Sequence, residues 1–276
     1  MRNFLWKGPD QQRGGAKVAW TDVACPLKEG GLGIKRIGEW NDAAMAKHSW
    51  NIIQPNPTSN WAKWARANLI RGRSFWDITI PSDCSWTWRK ILSLRNKFRS
   101  FIWYSVGNGT TMSIWFDNWL HLGPIYTVMG DTALFETGLS RYATVSTLIR
   151  NGRWRWPWTS SPDQLVLKQV VDSLPPPDIR AHDQIHWDPS NSGKFSINSP
   201  WECIRTRKES VDWDKLIWFA GRIPKTAFCL WLAIRSRLGT QDRLHYAGSN
   251  LNCLLCNSQP EDHDHLFFTC SVSSQV

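Results

Sequence analysis

The sequence has no hydrophobic run long enough to cross a membrane. Its longest uninterrupted apolar stretch is the eight residues from Ala227 to Ile234, whereas a transmembrane helix needs about 20. The residues that follow Met1 also lack the apolar segment of a secretory signal peptide. We therefore expect an intracellular protein, nuclear or cytoplasmic, that is neither secreted nor associated with a membrane.

Familiar catalytic signatures are also missing. No two aspartates are adjacent, so the paired Asp of a polymerase palm is absent. The sequence contains no phosphate-binding loop, nucleophile elbow or His-Glu-x-x-His motif. Asp117 and Asp188 stand alone, and we interpret both as structural. The sequence thus predicts no catalytic residues and no enzyme activity for the chain by itself; the alternative is a cryptic metal-dependent nuclease or polymerase fragment.

Disulfide bonds are not expected either. The seven cysteines are an odd number, and without a signal peptide they indicate a reducing compartment. Four of them, Cys25, Cys84, Cys203 and Cys229, have no partner at the spacing of metal ligands. We interpret those four as structural.

The other three cysteines form a metal-binding pattern near the carboxyl end. The spacing is Cys253-x2-Cys256-x8-His265-x4-Cys270. Cys-x2-Cys directs two thiolates to one point, and a His and a Cys five residues apart close a tetrahedron around Zn²⁺. His263 is the alternative fourth ligand, but we prefer His265 because the x4 separation suits a turn of helix better.

Two other interpretations of this pattern remain open. The thiols could be unrelated reduced cysteines, or Cys253 and Cys256 could be a redox pair, although no βαβ context surrounds them. If zinc binds, its four protein ligands leave no position for water. The predicted zinc is therefore structural, and it fixes a segment too small to fold alone.

What the sequence has in excess is positive charge and tryptophan. Lys and Arg number 33 against 23 Asp and Glu, which gives a net charge of +10, and there are 20 Trp. A basic protein favours a polyanionic partner. Trp packs in cores, stacks on bases and anchors interfaces, and we expect most of these Trp to fill the core.

Much of the excess charge falls between Trp61 and Trp103. Nine basic residues stand there against two acidic ones, and six aromatic residues are interleaved with them. Cations that bind phosphates and aromatic rings that stack on bases are typical of a surface that binds nucleic acid. The alternative interpretation of this segment is a solvated helix face with Trp residues in the core. The candidate residues for binding RNA or DNA are Arg71, Arg73, Arg89, Lys90, Arg95, Lys97 and Arg99.

The periodicity and turn signals predict a mainly α fold with short β-hairpins, in the α+β class, and a small C-terminal zinc-binding module. Apolar residues at helical spacing predict helices over 38–53, 61–69 and 85–94, around 163–173, and from Pro224 to Leu238. The last of these is apolar on nearly every face, so we expect it to be buried centrally.

Two hairpins are expected beside these helices. The first joins 101–106 to 110–116 through Gly107-Asn108-Gly109, and the second joins 185–188 to 194–197. We divide the chain into a helical region with a hairpin (1–124), a poorly defined connecting region (125–184) and a third domain (185–276).

A set of motifs follows one another in a characteristic order. They are Phe4–Gly8, Glu29–Ile34, Ser85–Arg89, Gly107–Gly109 and Ile114–Leu120, then Trp187–Pro189, Gly193–Ile197, Pro224-Lys225 and the Cys253, Cys256, His265–Phe267, Cys270 finish. The first five resemble the region downstream of the polymerase in plant non-LTR (LINE-type) retrotransposons. The rest resemble the reverse-transcriptase zinc-binding domain of that family.

This resemblance implies part of a retroelement polyprotein, whose intact form also carries a polymerase and often a ribonuclease H domain. It implies a non-catalytic accessory region with structural Zn²⁺, and RNA or DNA and a catalytic reverse transcriptase chain as partners. A truncated or degenerate gene product is also consistent with it. The alternative, from another class of function, is a zinc-stapled protein-interaction module repurposed by the host, with Trp-rich surfaces as anchors.

Overall fold

The computed structural model describes residues 5–6, 15–158, 161–243 and 251–275. The chain forms two compact units: the terminal unit joins Met1–Arg36 to Thr206–Val276, and the central unit is Ile37–Arg205. These units are defined by spatial contact, whereas the segments 1–124, 125–184 and 185–276 were defined along the sequence. The division into three sequence segments therefore stays a prediction. Within the motif at 4–8, only Leu5 and Trp6 lie among the described residues.

Helices are the main element of both units. The α-helices are α1 (Trp20–Val23), α2 (Ile37–Ile53), α3 (Asn60–Ala65), α4 (Trp86–Arg99), α5 (Ile125–Met129), α6 (Asp131–Thr137), α7 (Pro162–Asp172), α8 (Asn198–Ile204), α9 (Asp214–Ile217) and α10 (Pro224–Ile234). Short 3₁₀ turns cover Leu27–Glu29, Val145–Leu148, Gln241–Arg243 and Ser273–Gln275, and single π turns cover Arg66–Ile70 and His265–Thr269.

The strands form two small antiparallel sheets among the described residues. In the first, β1 (Ile102–Ser105) pairs with β4 (Gln184–Trp187); in the second, β2 (Ile149–Arg150) pairs with β3 (Arg153–Trp154). The predicted mainly helical fold with small antiparallel elements is confirmed.

Local sequence explains where the longer helices begin. The Ser85 hydroxyl accepts the N–H of Trp88 at 3.3 Å and caps α4, and Ser59 caps α3 in the same way. Pro162 and Pro224 occupy the first turns of α7 and α10, where a missing N–H costs nothing. These signals are local, which is why the sequence located these helices well.

The predicted hairpin around Asn108 is wrong. Strand β1 pairs with β4 in the register Ile102↔Trp187 to Ser105↔Gln184, and residues 110–116 form no strand. The reason is the buried carboxylate of Asp183, which accepts the N–H groups of Gly107 at 2.9 Å and Gly109 at 2.8 Å. The loop therefore wraps around this carboxylate rather than forming a tight hairpin turn.

Thr111 completes this arrangement, since its N–H and hydroxyl both donate to the second oxygen of Asp183, at 2.9 and 2.8 Å. Glycine is required at position 107, because a Cβ there would lie 2.5 Å from the Ala181 carbonyl oxygen. The loop 107–111 is thus fixed by one carboxylate from a distant part of the chain.

The second predicted hairpin is also wrong. Only its first arm is a strand, β4, and residues 194–197 form no strand. The backbone instead closes a short turn in which the Trp187 N–H donates to the Gly193 carbonyl at 2.9 Å. Since β4 already pairs with β1, each predicted hairpin contributes one strand to a single sheet.

The core of the central unit is rich in tryptophan. Trp115 and Trp187 are fully buried, and Trp187 contacts the rings of Trp50, Phe101 and Phe195 at centroid distances of 5.0–6.2 Å. The indole N–H of Trp187 donates to Ser199 at 2.7 Å. Buried Trp thus keeps its polar N–H satisfied while its ring fills the core.

The terminal unit has a smaller core around α10. Trp231 is fully buried there, and its indole N–H and the Arg235 guanidinium both donate to the Gly30 carbonyl, at 2.8 and 2.7 Å. The prediction of a centrally buried helix running to Leu238 is wrong: α10 ends at Ile234, and its Cys229 and Leu230 are exposed. A small core can cover only one face of a helix.

None of the helices in the described ranges is long and apolar enough to span a membrane.

Candidate metal centre and basic surface

Four side chains of the terminal unit converge near its carboxyl end. The ligand atoms of Cys253, Cys256, His265 and Cys270 all lie within 4.8 Å of one another. The sulfurs of Cys253 and Cys270 are 4.0 Å apart, and Cys256 Sγ lies 3.2 Å from His265 Nε2. A tetrahedral zinc with Zn–S bonds of about 2.3 Å separates two sulfurs by about 3.8 Å. The cluster therefore has the dimensions of a zinc site.

The first two cysteines are positioned by a tight backbone turn. The Asn257 N–H donates to the Cys253 carbonyl, and the Cys253 N–H donates to the Gln259 carbonyl, both at 2.8 Å. Asn257 adopts a left-handed conformation with φ of 54°, which Asn tolerates better than most residues. The turn thus brings the thiols of Cys253 and Cys256 to the same side.

The histidine and the last cysteine come from the π turn at His265–Thr269. The Cys270 N–H donates to the His265 carbonyl at 2.8 Å, a bond between residues five apart. This wider turn explains the x4 separation, because it places both side chains on the same side of the backbone. Asp262 caps the segment by accepting the His265 N–H at 2.7 Å.

Burial protects the cluster from solvent. Cys253 and Cys270 are fully buried, His265 is nearly so, and Cys256 is half-buried. The hydroxyl and N–H of Ser258 lead the hydrogen bonds that lower the pKa of the Cys256 thiol to about 5. A lowered pKa favours the thiolate, which is the form that binds metal.

His263 does not join the cluster. Its ring stacks on Phe267 at a centroid distance of 5.4 Å, and its buried Nε2 has no hydrogen-bond partner among the described residues. The structure therefore brings His265, the preferred histidine, beside the three thiols.

Glu261 helps to position the site, although the sequence pattern did not single it out. It is buried, and its carboxylate accepts the N–H of Gln241 at 3.1 Å and of Leu254 at 3.3 Å. It thereby ties the cysteine turn to the 3₁₀ turn at Gln241–Arg243. The Glu-Asp pair just before His265 was a visible signal, since acidic residues commonly accept backbone N–H groups at such turns.

The candidate nucleic-acid residues fall into two groups in the central unit. Arg71, Arg73, Arg89 and Lys97 are exposed, and the arginines among them hold their side chains by bonds to nearby backbone carbonyls. Four cations are thus exposed to solvent along this part of the chain, and Lys97 Nζ also lies 4.0 Å from a carboxylate oxygen of Asp42.

The remaining three cations are engaged inside the unit. Arg95 donates to the carbonyls of Phe75 and Ile78 at 2.6 and 2.5 Å, and Arg99 donates to the Phe116 carbonyl. Burial lowers the pKa of both guanidinium groups. Lys90 forms an ion pair with Asp42 at 2.7 Å. Whether any of the seven residues binds nucleic acid stays a prediction.

Comparison with known proteins agrees with this zinc-site geometry. Residues 195–276 match the family described as zinc-binding in reverse transcriptase. An Arabidopsis thaliana protein named for ribonuclease H is 27% identical over 285 aligned positions, which cover 98% of this chain and 44% of that relative. An uncharacterized mitochondrial protein of the same plant is 29% identical over 122 positions, covering 44% of this chain and 78% of that relative. No solved structure matches the chain.

Residues 195–276 thus resemble zinc-binding domains of the reverse-transcriptase type, and their Cys₃His cluster is placed for a metal ion. The first relative aligns with nearly the whole chain, and the comparisons together support a fragment of the reverse-transcriptase region of a retrotransposon. The chain spans less than half the length of the first relative. The predicted resemblance and the zinc cofactor are confirmed.

Proposed function

We propose that this chain is a non-catalytic accessory region that is stabilised by zinc and binds RNA or DNA beside a catalytic reverse transcriptase. The observation that carries the proposal is the convergence of Cys253, Cys256, His265 and Cys270 within 4.8 Å. We assign these four side chains as the zinc ligands. Four protein ligands leave the metal no open position for water or substrate, which supports a structural role.

Nucleic-acid binding is supported by the exposed part of the basic segment. Arg71, Arg89 and Lys97 are exposed in the central unit, and the rings of Trp64 and Trp86 in the same segment are more than half exposed. Exposed cations neutralise phosphates, and exposed rings provide faces on which bases stack. We therefore expect a contact with the backbone of a single strand that depends on salt and tolerates different sequences.

The triple variant R71Q/R89Q/K97Q tests this surface. We expect it to bind a fluorescent single-stranded oligonucleotide more weakly at low salt than the natural chain does. The slope of log K against log salt should be flatter by about 2, since each lost phosphate contact on a single strand contributes about 0.7. Fluorescence anisotropy over a range of salt concentrations measures both quantities.

The variant R150Q/R153Q/R155Q is the matched control. It removes the same number of charges from exposed arginines of the same unit, at positions outside the proposed surface. It should retain the natural slope. Absence of oligonucleotide binding by the natural chain at low salt would refute the nucleic-acid part of the proposal, and equal slopes for the two variants would refute the assignment of the surface.

A protein-interaction module is the second candidate. It is favoured by exposed apolar side chains in the zinc-binding part of the terminal unit, where Leu254 and Phe268 are 79% and 76% exposed. Contiguous exposed apolar patches mark protein-interaction sites. The same titration separates the candidates, since an interaction module shows no salt-dependent binding to an oligonucleotide.

A further inference from the structure

The central unit contains a cavity that the zinc site and the exposed basic surface do not explain. Its volume is about 310 Å³, at the lower end of the range of about 300–1,000 Å³ that is typical of small-molecule sites. Part of the lining comes from the π turn at Arg66–Ile70 and the loop that follows it, and part from residues 104–117 and 141–144.

Two arginines in the lining carry charge that no carboxylate among the described residues neutralises. Arg66 donates through one Nη to the carbonyls of Gln54 and Pro55, at 2.7 and 3.1 Å, and Arg73 donates to the carbonyls of Leu69 and Ile70, both at 3.2 Å. Neither forms an ion pair within the described part of the chain. The carbonyl bonds hold both guanidinium groups in place, so an anion would find them already oriented.

A third arginine in the lining is different. Arg141 forms a bidentate ion pair with Asp77, at 2.6 and 2.8 Å, and a further bond to Asp131 at 3.1 Å. Its charge is therefore compensated within the fold. The contrast singles out Arg66 and Arg73 as the cations available to a bound anion.

The rest of the lining is polar and aromatic rather than basic. Thr110, Ser113 and Thr144 contribute hydroxyls, and the exposed ring of Tyr142 contributes a flat face. The carboxylate of Asp117 also lines the cavity, where it accepts the Ser113 N–H at 2.6 Å and where burial raises its pKa to about 6. A carboxylate in the lining does not suit a simple polyanion, but it suits a ligand that has N–H or O–H donors as well as an anionic group.

We propose that this cavity binds a single nucleotide, with its phosphate on Arg66 and Arg73 and its base against Tyr142. The phosphate of a nucleotide matches the two arginines that no described carboxylate pairs with, its base matches the exposed ring of Tyr142, and its hydrogen-bond donors match the Asp117 carboxylate. The inference rests on the proposed function in nucleic-acid binding and deepens it, because it adds a site for one nucleotide unit, either free or at the end of a strand.

Calorimetric titration of the full chain tests the site with three probes: a nucleoside 5′-monophosphate, the matching nucleoside and inorganic phosphate. We expect the monophosphate to bind, and the nucleoside to bind at least about tenfold more weakly because it lacks the charge-assisted contacts. Arg73→Gln should weaken binding of the monophosphate by about tenfold. Tyr142→Ala should weaken binding of the monophosphate while leaving the affinity for inorganic phosphate unchanged. Arg73 and Tyr142 are both exposed, and a thermal melt of each variant confirms that it is folded.

The variant R71Q/R89Q/K97Q separates this inference from the proposed function, since none of its positions lines the cavity. It should bind the monophosphate as the natural chain does while losing affinity for the oligonucleotide. If the natural chain binds oligonucleotides with salt dependence but no monophosphate, the cavity inference fails and the proposed function stands. If it binds neither, both fail. Monophosphate affinity that Arg73→Gln and Tyr142→Ala leave unchanged would also overturn the inference.

A 5′-phosphorylated oligonucleotide compared with its unphosphorylated form identifies the source of the nucleotide. Tighter binding of the phosphorylated strand, lost in Arg73→Gln, assigns the cavity to strand ends. Equal affinity of the two strands, together with binding of the monophosphate, assigns it to free nucleotides.

Discussion

Replacing Cys253 and Cys256 together by serine is expected to remove zinc from the protein. The two thiolates are half of the ligand set, and the remaining pair, His265 and Cys270, cannot hold a structural zinc against water. Zinc sites of this type contribute about 10–16 kcal/mol of apparent binding free energy at neutral pH, so the effect should be complete rather than graded. Elemental analysis of the purified chain should fall from one zinc per molecule to none.

The chain provides matched controls for this experiment. Cys229→Ser makes the same chemical change at an exposed position outside the cluster, and it should retain one zinc. His263→Ala should also retain it, because that ring stacks on Phe267 and lies outside the cluster, whereas His265→Ala should lose it. Full zinc retention in the double cysteine variant would refute the ligand set, and loss of zinc in His263→Ala would show that the wrong histidine was assigned.

Loss of the metal should also change the local stability of the terminal unit. The backbone bonds from Asn257 to Cys253 and from Cys270 to His265 hold the two halves of the site. Without a metal to join those halves, their amides should exchange hydrogen faster. Exchange in the central unit should not change, which hydrogen-exchange mass spectrometry would show peptide by peptide.

The zinc cluster was predictable because metal ligands reveal themselves by local spacing. Four candidate ligands within 18 residues, from Cys253 to Cys270, leave few ways to close a tetrahedron. The choice of His265 over His263 also followed from spacing, although the structure uses a π turn where an ordinary helical turn was expected. The pattern therefore indicated the residues more accurately than the backbone that positions them.

The basic segment shows where composition is insufficient. Arg95 and Arg99 were grouped with the exposed cations because charge counting ignores direction. Along α4, Arg95 lies three residues from both Leu92 and Phe98, and Arg99 lies four residues after Arg95, on the side of the helix that faces the core. Their guanidinium groups bind backbone carbonyls there. Helical spacing contained this signal, since i, i+3 and i+4 positions share one face.

The sheet could not have been predicted from short-range patterns. Asn108-Gly109 is a strong hairpin signal, but hairpin signals describe only the turn and its neighbours. The partner of β1 lies some 80 residues further along the chain, and the group that selects it, Asp183, looked like an ordinary loop residue. A single buried carboxylate that satisfies several N–H groups outweighs the local preference of the turn.

Replacing Asp183 by alanine is therefore expected to destabilise the central unit strongly. The substitution leaves the buried N–H groups of Gly107 and Gly109 without an acceptor, and Thr111 loses two bonds. An unsatisfied buried donor costs about 1–3 kcal/mol, so we expect a loss of at least about 3 kcal/mol in the free energy of unfolding. Urea denaturation followed by tryptophan fluorescence, which reports on the Trp-rich core of this unit, measures the change.

Two further substitutions distinguish this effect from a general sensitivity of the loop. Asp183→Asn keeps one oxygen for the two glycine N–H groups but turns an amide N–H₂ toward Thr111. Its free energy of unfolding should therefore fall less than that of Asp183→Ala. Asp188→Ala removes an exposed carboxylate just beyond β4 and should change the free energy of unfolding by no more than about 0.5 kcal/mol. If Asp183→Ala and Asp188→Ala have equal effects, the carboxylate does not organise this loop, and the pairing of β1 with β4 must have another cause.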